Sequence, residues 1–276
     1  SEAVTLSGGN LVVTLETGST DRTVSISSIS SSTSATGTYT VQSGDASSDL
    51  TINSIALSAG TLSDGASNNM SSFSIPSGSN LADSEAFVVD GVVPTVSSVA
   101  ATTADGSYKI GDVIAVTISF SESVTVTGTP QLTLETGSAD AVVDYASGSG
   151  SVTLTFSYTI AAGHTSGDLD YASTSALALN SGSIKDAAGN DATLTLSEPG
   201  GGTSLGSNKD IVVDGVVPTL SSLSPADDAT AASPNSNLTI TFSEDVATGS
   251  GDLILKKSAD DSEYESIGAS SDKITI

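Results

Sequence analysis

The feature that most constrains how this chain folds is an internal repeat. The string VVDGVVPT occurs at residues 88–95 and again at residues 212–219. Two shorter strings recur at almost the same offset, namely FSE at 120–122 and 242–244, and LETG at 15–18 and 134–137. Because separate strings return at one spacing of about 120 residues, the sequence predicts tandem domains of that length.

The register of these strings divides the chain into three parts. We predict a partial repeat at residues 1–90, a complete repeat at residues 91–214 and the N-terminal part of a third, divergent repeat at residues 215–276. The opening residues SEAVT align with residues 121–125 of the second repeat. The first repeat is therefore expected to lack its opening strands.

Alternation of apolar residues with Ser and Thr predicts the secondary structure. Ile114, Val116 and Ile118 share one face of a predicted strand, and Val152 and Phe156 share the inward face of another. No segment shows the 3.6-residue apolar period of a helix. About seven short strands per repeat predict an all-β fold of tandem immunoglobulin-like antiparallel β-sandwiches arranged end to end.

Three motifs carry a resemblance to a known family. The VVDGVVPT linkers, the strand at residues 114–122 that ends in FSE, and the string IKDAAGN at residues 184–190 resemble the bacterial immunoglobulin-like tandem repeats of giant surface adhesins and secreted surface proteins. The third repeat resembles a related but distinct subfamily. The resemblance implies an extracellular location, with repeats stacked as a rod and, in many members, calcium at the joints.

The charge balance limits the partners that the chain can have. It carries 32 acidic and 7 basic residues, a formal net charge of −25. This argues against nucleic acid and against an anionic membrane surface, since both need clustered Lys and Arg. No apolar run is long enough to span a bilayer, so we predict no membrane insertion. The predicted partners are calcium ions, which offset acidic self-repulsion, and the neighbouring repeats of the same chain.

Acidic residues are predicted to converge at the joint between the first and second repeats. Ca²⁺ binds six to eight oxygen atoms, so a joint site needs acidic residues from several segments. Asp90 of the linker, Glu122 after the predicted strand end and Asp186 of the predicted FG loop reach one pole of the second repeat by topology. The alternative is that Asp186 only forms a turn with its own backbone. The predicted Ca²⁺ ligands are Asp90, Glu122, Asp186 and Asn190 at this joint, with Asp214 and Glu244 at the next.

No catalytic constellation is evident, and we predict that the chain is not an enzyme. His164 is its one histidine and aligns with Asp45 of the first repeat, so we predict an exposed turn residue rather than a catalytic base. Trp is absent, which argues against a sugar-binding cleft. Asp168 and Asp170 are a weaker candidate for a second cation.

Three functions are compatible with these features. The first is a spacer region that holds the binding domain of an adhesin away from the cell. The second is a segment of an S-layer or surface fibre, whose repeats bind other copies of the protein. The third is a set of accessory domains of a secreted enzyme. The outward Ser and Thr positions favour the spacer, because an assembling repeat should present a self-complementary patch or an open strand edge.

Overall fold

The computed structural model describes residues 2–226, 229, 233, 236–247, 249–256, 261–269, 271 and 274. Within these residues the regular structure is strand, apart from one short α-helix and one 3₁₀ helix, which confirms the predicted all-β class. The chain forms two compact units. One unit contains residues 1–160 and 164–214, and the other contains residues 161–163 and 215–276. The first and second repeats therefore belong to one unit.

The first repeat is built from short strands with a small core. The strands are β1 (Val4–Ser7), β2 (Leu11–Glu16), β3 (Arg22–Ile26), β4 (Ala46–Ser47), β5 (Thr51–Leu57), β6 (Thr61–Asp64) and β7 (Val89–Asp90). A 3₁₀ helix, Leu81–Asp83, precedes β7. β2 lies between β3 and β5 in an antiparallel sheet, while β1 pairs with β6 and β4 with β7. Leu15, Leu50 and Val89 form its buried cluster, and Ile29 and Leu62 are buried as well.

The second repeat has more strands and most of the buried hydrophobic residues. Its elements are β8 (Val96–Ala101), β9 (Gly106–Lys109), β10 (Val113–Thr127), β11 (Gln131–Glu135), β12 (Ala141–Ser147), β13 (Ser151–Thr159), β14 (Thr165–Ser166), β15 (Asp170–Tyr171), β16 (Leu177–Ala178), β17 (Ser183–Lys185), α1 (Leu205–Asn208) and β18 (Ile211–Asp214). The main sheet runs β15-β11-β12-β13-β10-β17, with β8 also paired to β10 and β16 to β11. β18 pairs in parallel with β9 and antiparallel with β14.

The apolar face of β10 lies at the centre of the second repeat's core. Ile114, Val116 and Ile118 are fully buried, as the alternation predicts, and they belong to one cluster with Phe156 of β13. Burial of each such side chain contributes roughly 1.5–3 kcal/mol. The long strand positions other elements as well, since it pairs with β8, β13 and β17 along different parts of its length.

The inward orientation predicted for Val152 is wrong. Its side chain is 46% exposed. The ladder between β10 and β13 shifts register between Ser119, which pairs with Thr153, and Val124, which pairs with Ser151. Val152 lies beside this irregularity, where β10 leaves the regular ladder, so strict alternation fails there.

The first repeat differs from the second in one segment. Residues 32–40, which align with β13, form no strand, and Ser32 makes only an isolated bridge with Val4. In the second repeat β13 is held between β10 and β12.

The described residues of the second unit form two strand pairs. Its strands are β19 (Leu220–Ser224), β20 (Thr239–Phe242), β21 (Asp252–Lys256) and β22 (Glu263–Gly268). β19 pairs with β20 and β21 with β22, both antiparallel. In the described part of the chain, no helix has the length and apolar character needed to cross a bilayer.

Candidate metal centre

Three carboxylates from separate parts of the chain converge at one point. Asp90 ends β7 of the first repeat, Glu122 lies in β10, and Asp186 follows β17. One oxygen from each carboxylate lies within 4.8 Å of the other two. Asp186 is buried and the other two are half-buried. We call these three residues the joint cluster, and in the described part of the chain they are the one group of acidic or histidine side chains that comes this close.

The backbone of β10 explains the direction of Glu122. The sequence predicts that this residue follows a strand end, but β10 continues to Thr127 and contains Glu122. Its ladder with β13 is interrupted after Ser119, and from Thr125 onward it pairs with β17. Irregularities of this kind bend a strand and redirect its side chains. The FSE string therefore marks the change of partner strand, rather than the end of the strand.

Asp186 is fixed by a tight turn. Its Oδ1 accepts hydrogen bonds from the N–H groups of Gly189 (2.7 Å) and Asn190 (2.8 Å), and its Oδ2 accepts one from Asn190 Nδ2 (2.7 Å). Gly189 has φ of +97°, which glycine adopts without steric cost. Burial alone would raise the pKa of Asp186, but the hydrogen bonds from Asn190 and Gly189 stabilise the anion and hold its pKa below the usual value.

The linker between the repeats is hydrogen-bonded to both of them. The N–H of Gly91 donates to the carbonyl of Asp45 in the first repeat, at 2.7 Å. From the second repeat, Asn190 Nδ2 lies 3.1 Å from the Asp90 carbonyl and 3.3 Å from the Val92 carbonyl. The sequence predicts an oxygen ligand at Asn190, whereas the structure directs its side-chain nitrogen at these acceptors.

The joint cluster is uncompensated in charge. None of the ion pairs in the described part of the chain involves it. Burial, followed by the negative charges of Asp90 and Asp186, raises the pKa of Glu122 above its usual value. Carboxylates this close repel one another, and an all-oxygen donor set drawn from three segments suits a hard cation such as Ca²⁺.

Glu122→Gln should stabilise the protein in excess chelator at about pH 7 and remove most of its response to calcium. The pKa of Glu122 is higher in the folded protein than in the unfolded chain. The free energy of unfolding therefore falls as the pH rises above 4.5, the ordinary pKa of a glutamate. Glutamine removes this repulsion together with the ligand charge. Thermal melts with and without calcium, from about pH 4 to about pH 7, measure both effects. A variant less stable than the parent in chelator would contradict this electrostatic account.

The remaining two predicted ligands lie in different units. Asp214 ends β18 and is paired in register with Lys109 of β9 and Thr165 of β14. Glu244 follows β20, and its Oε1 is buried without a hydrogen-bond partner among the described residues. A buried acceptor in that state costs free energy. By the repeat register, Asp214 corresponds to Asp90 and Glu244 to Glu122.

The weaker candidate is a second acidic group near β15. Burial, followed by the charges of Asp210 and Asp170, raises the pKa of Asp168. Asp170 already accepts hydrogen bonds from the N–H groups of Tyr171 (2.9 Å) and Gly200 (2.8 Å). Asp168, Asp170 and Asp210 do not form a group of three whose oxygens all lie within 4.8 Å of one another, as those of the joint cluster do.

His164 is half-buried, rather than exposed as the sequence predicts. Its Nδ1 lies 2.9 Å from the Tyr158 hydroxyl, and the two rings stack with centroids 5.7 Å apart. Burial raises the pKa of Tyr158 to about 12. In the first repeat the aligned Tyr39 hydroxyl donates to Asp45 Oδ2 at 2.6 Å. In each repeat the tyrosine hydroxyl thus contacts the side chain at the same aligned position, which is His164 in the second repeat and Asp45 in the first. This supports a structural role for His164.

Comparison with known families gives a match at the C-terminal end. Residues 214–276 match the family model of a bacterial Ig-like domain, which confirms the resemblance for the third repeat. The curated proteins and the solved structures that were compared with the chain give no match.

Proposed function

We propose that the chain is a calcium-stiffened repeat region of an extracellular bacterial surface protein and forms an adhesin stalk. The match of residues 214–276 to a bacterial Ig-like domain supports this proposal. Domains of this family are typical of bacterial surface proteins. The observation that carries the proposal is the joint cluster, to which the first repeat contributes Asp90 and the second contributes Glu122 and Asp186. The proposed role is structural and involves no catalysis.

Calcium fits the joint cluster better than magnesium does. Ca²⁺ accepts six to eight oxygen ligands in a flexible geometry, whereas Mg²⁺ demands a near-ideal octahedron. The cluster draws its oxygens from a strand end, an irregular strand and a turn. These backbone segments would supply three carboxylate ligands, and water and carbonyl oxygens would complete the shell of a bound ion. Extracellular calcium modules bind with Kd on the order of 10⁻⁴–10⁻³ M.

A cation at this position would stiffen the joint. Asp90 lies at the end of β7, which is paired with β4 of the first repeat, whereas Glu122 and Asp186 are fixed by strands of the second repeat. Coordination by all three carboxylates would therefore resist rotation of one repeat against the other. It would also offset the repulsion among the three anions.

Distances between spin labels test this stiffening. The chain has no cysteine, so Ser54→Cys on β5 and Ser157→Cys on β13, both exposed, place one label on each repeat. We expect the distance distribution to narrow when calcium is added, since bound calcium would restrict the linker. The same labelled pair carrying Asp186→Ala should show no narrowing. An unchanged width in the parent would refute the proposal.

Sedimentation of the unlabelled protein separates the spacer from an assembling S-layer or fibre segment. A spacer should remain monomeric as calcium is added. A repeat that binds other copies should form larger species that grow with protein concentration. Neither result depends on the width measured with spin labels.

A further inference from the structure

The side-chain amide of Asn190 faces three oxygen atoms. Its Nδ2 lies 2.7 Å from Asp186 Oδ2, 3.1 Å from the Asp90 carbonyl and 3.3 Å from the Val92 carbonyl. All three partners are acceptors, and only the NH₂ group of an Asn amide can donate. The reversed amide would place an oxygen against three oxygens, so the hydrogen-bond network decides the orientation.

We infer that Asn190 is a positioning residue, which fastens the linker to the second repeat through its amide donors whether or not a cation is bound. Asp186 orients the amide, and the amide then holds the carbonyls on either side of Gly91. The first repeat holds Gly91 itself through two backbone hydrogen bonds, since the Gly91 N–H donates to the Asp45 carbonyl at 2.7 Å and the Gly44 N–H donates to the Gly91 carbonyl at 2.8 Å. The linker is thus held between a turn of each repeat. This inference goes beyond the calcium proposal, since it needs no ion.

The first repeat supplies a matched control for this role. Asn68 donates from Nδ2 to Asp64 Oδ2 at 2.8 Å and from its N–H to Asp64 Oδ1 at 2.8 Å. These are the bonds that Asn190 makes to Asp186. In the described residues, the amide of Asn68 makes no bond to a linker carbonyl. Substitution of Asn68 therefore damages the same kind of turn without touching the linker.

Hydrogen exchange of the full chain in excess chelator tests the inference. Asn190→Ala removes the amide, and Asn190→Asp removes the donors while it keeps an oxygen and adds a charge. We expect both variants to raise the exchange rate of the linker amides around Val92 by about tenfold, since the Nδ2 hydrogen that the two linker carbonyls share is lost. Asn68→Asp should leave these rates within about twofold of the parent, although exchange in its own turn rises.

Three results would overturn the inference. The first is linker exchange in Asn190→Asp that equals the parent's. This result would mean that the side-chain oxygen at position 190, and not its amide donors, holds the linker. The second is an increase in Asn190→Asp alone, which would assign the effect to the added charge. The third is an equal increase in Asn68→Asp, which would reduce it to general turn stability. Because chelator is present throughout, failure of the calcium proposal would not alter any of these readings.

Discussion

Calcium at about 10 mM should raise the thermal midpoint of the full chain by about 5–10 °C, and Asp186→Ala should remove most of this gain. With Kd on the order of 10⁻⁴ M, this concentration is about 100 times Kd and stabilises the folded state by about 2.7 kcal/mol. Loss of one charged ligand costs roughly 1.5–3 kcal/mol, which weakens binding by about 10- to 100-fold. Calorimetric melts and a calcium titration measure the two quantities.

The control for Asp186→Ala is Asp64→Ala. Asp64 accepts hydrogen bonds from the N–H groups of Ala66 (2.9 Å) and Asn68 (2.8 Å) in the corresponding turn of the first repeat. It does not belong to the joint cluster. Asp64→Ala should therefore destabilise its turn but keep the full calcium response. If both variants lost the response equally, or neither did, the placement of the site at Asp186 would be wrong.

Phe156→Ala should lower the thermal midpoint by about 10 °C or more, with or without calcium. The ring is fully buried in the core of the second repeat, and the Tyr145 ring packs edge-on against it at 6.1 Å between centroids. Truncation of a buried Phe costs about 3–5 kcal/mol, because transfer free energy is lost and a cavity remains. Calorimetry of the parent and the variant in chelator measures the loss.

Val152→Ala is the matched control on the same strand. Its side chain is 46% exposed, so the change in unfolding free energy should stay within about 0.5 kcal/mol. A large loss in Val152→Ala, or a small one in Phe156→Ala, would mean that β13 faces the core differently from the structure described above. The pair therefore tests the orientation of the strand as well as the size of the core.

Much of the fold follows from periodicity in the sequence. Alternation at Ile114, Val116 and Ile118 predicts a buried strand face because a residue's side in a regular ladder depends only on whether its position is odd or even. The same rule fails at Val152, since the register shift in β10 lies on the partner strand and leaves no signal in the sequence of β13. Bulges are long-range features that a local pattern does not reveal.

The candidate site could be predicted in part. The immunoglobulin-like topology predicts that Asp90, Glu122 and Asp186 meet at one pole, and each lies in a string that recurs in the chain or resembles a family motif. The role of Asn190 could not be predicted, because a side-chain amide offers both a donor and an acceptor. Which of them faces inward depends on where the linker carbonyls lie, and only the folded structure supplies those positions.

The parallel pairing of β18 with β9 has a mechanical consequence. β9 lies near the start of the second repeat and β18 at its end, and their register joins four residue pairs, from Ile211 with Gly106 to Asp214 with Lys109. Tension that reaches β9 from its N-terminal side and β18 from its C-terminal side pulls the two strands in opposite directions along their common axis. Their hydrogen bonds are then strained together in shear, rather than opened one at a time as when a hairpin is peeled apart. The connectivity of this repeat is therefore suited to bearing force along the chain.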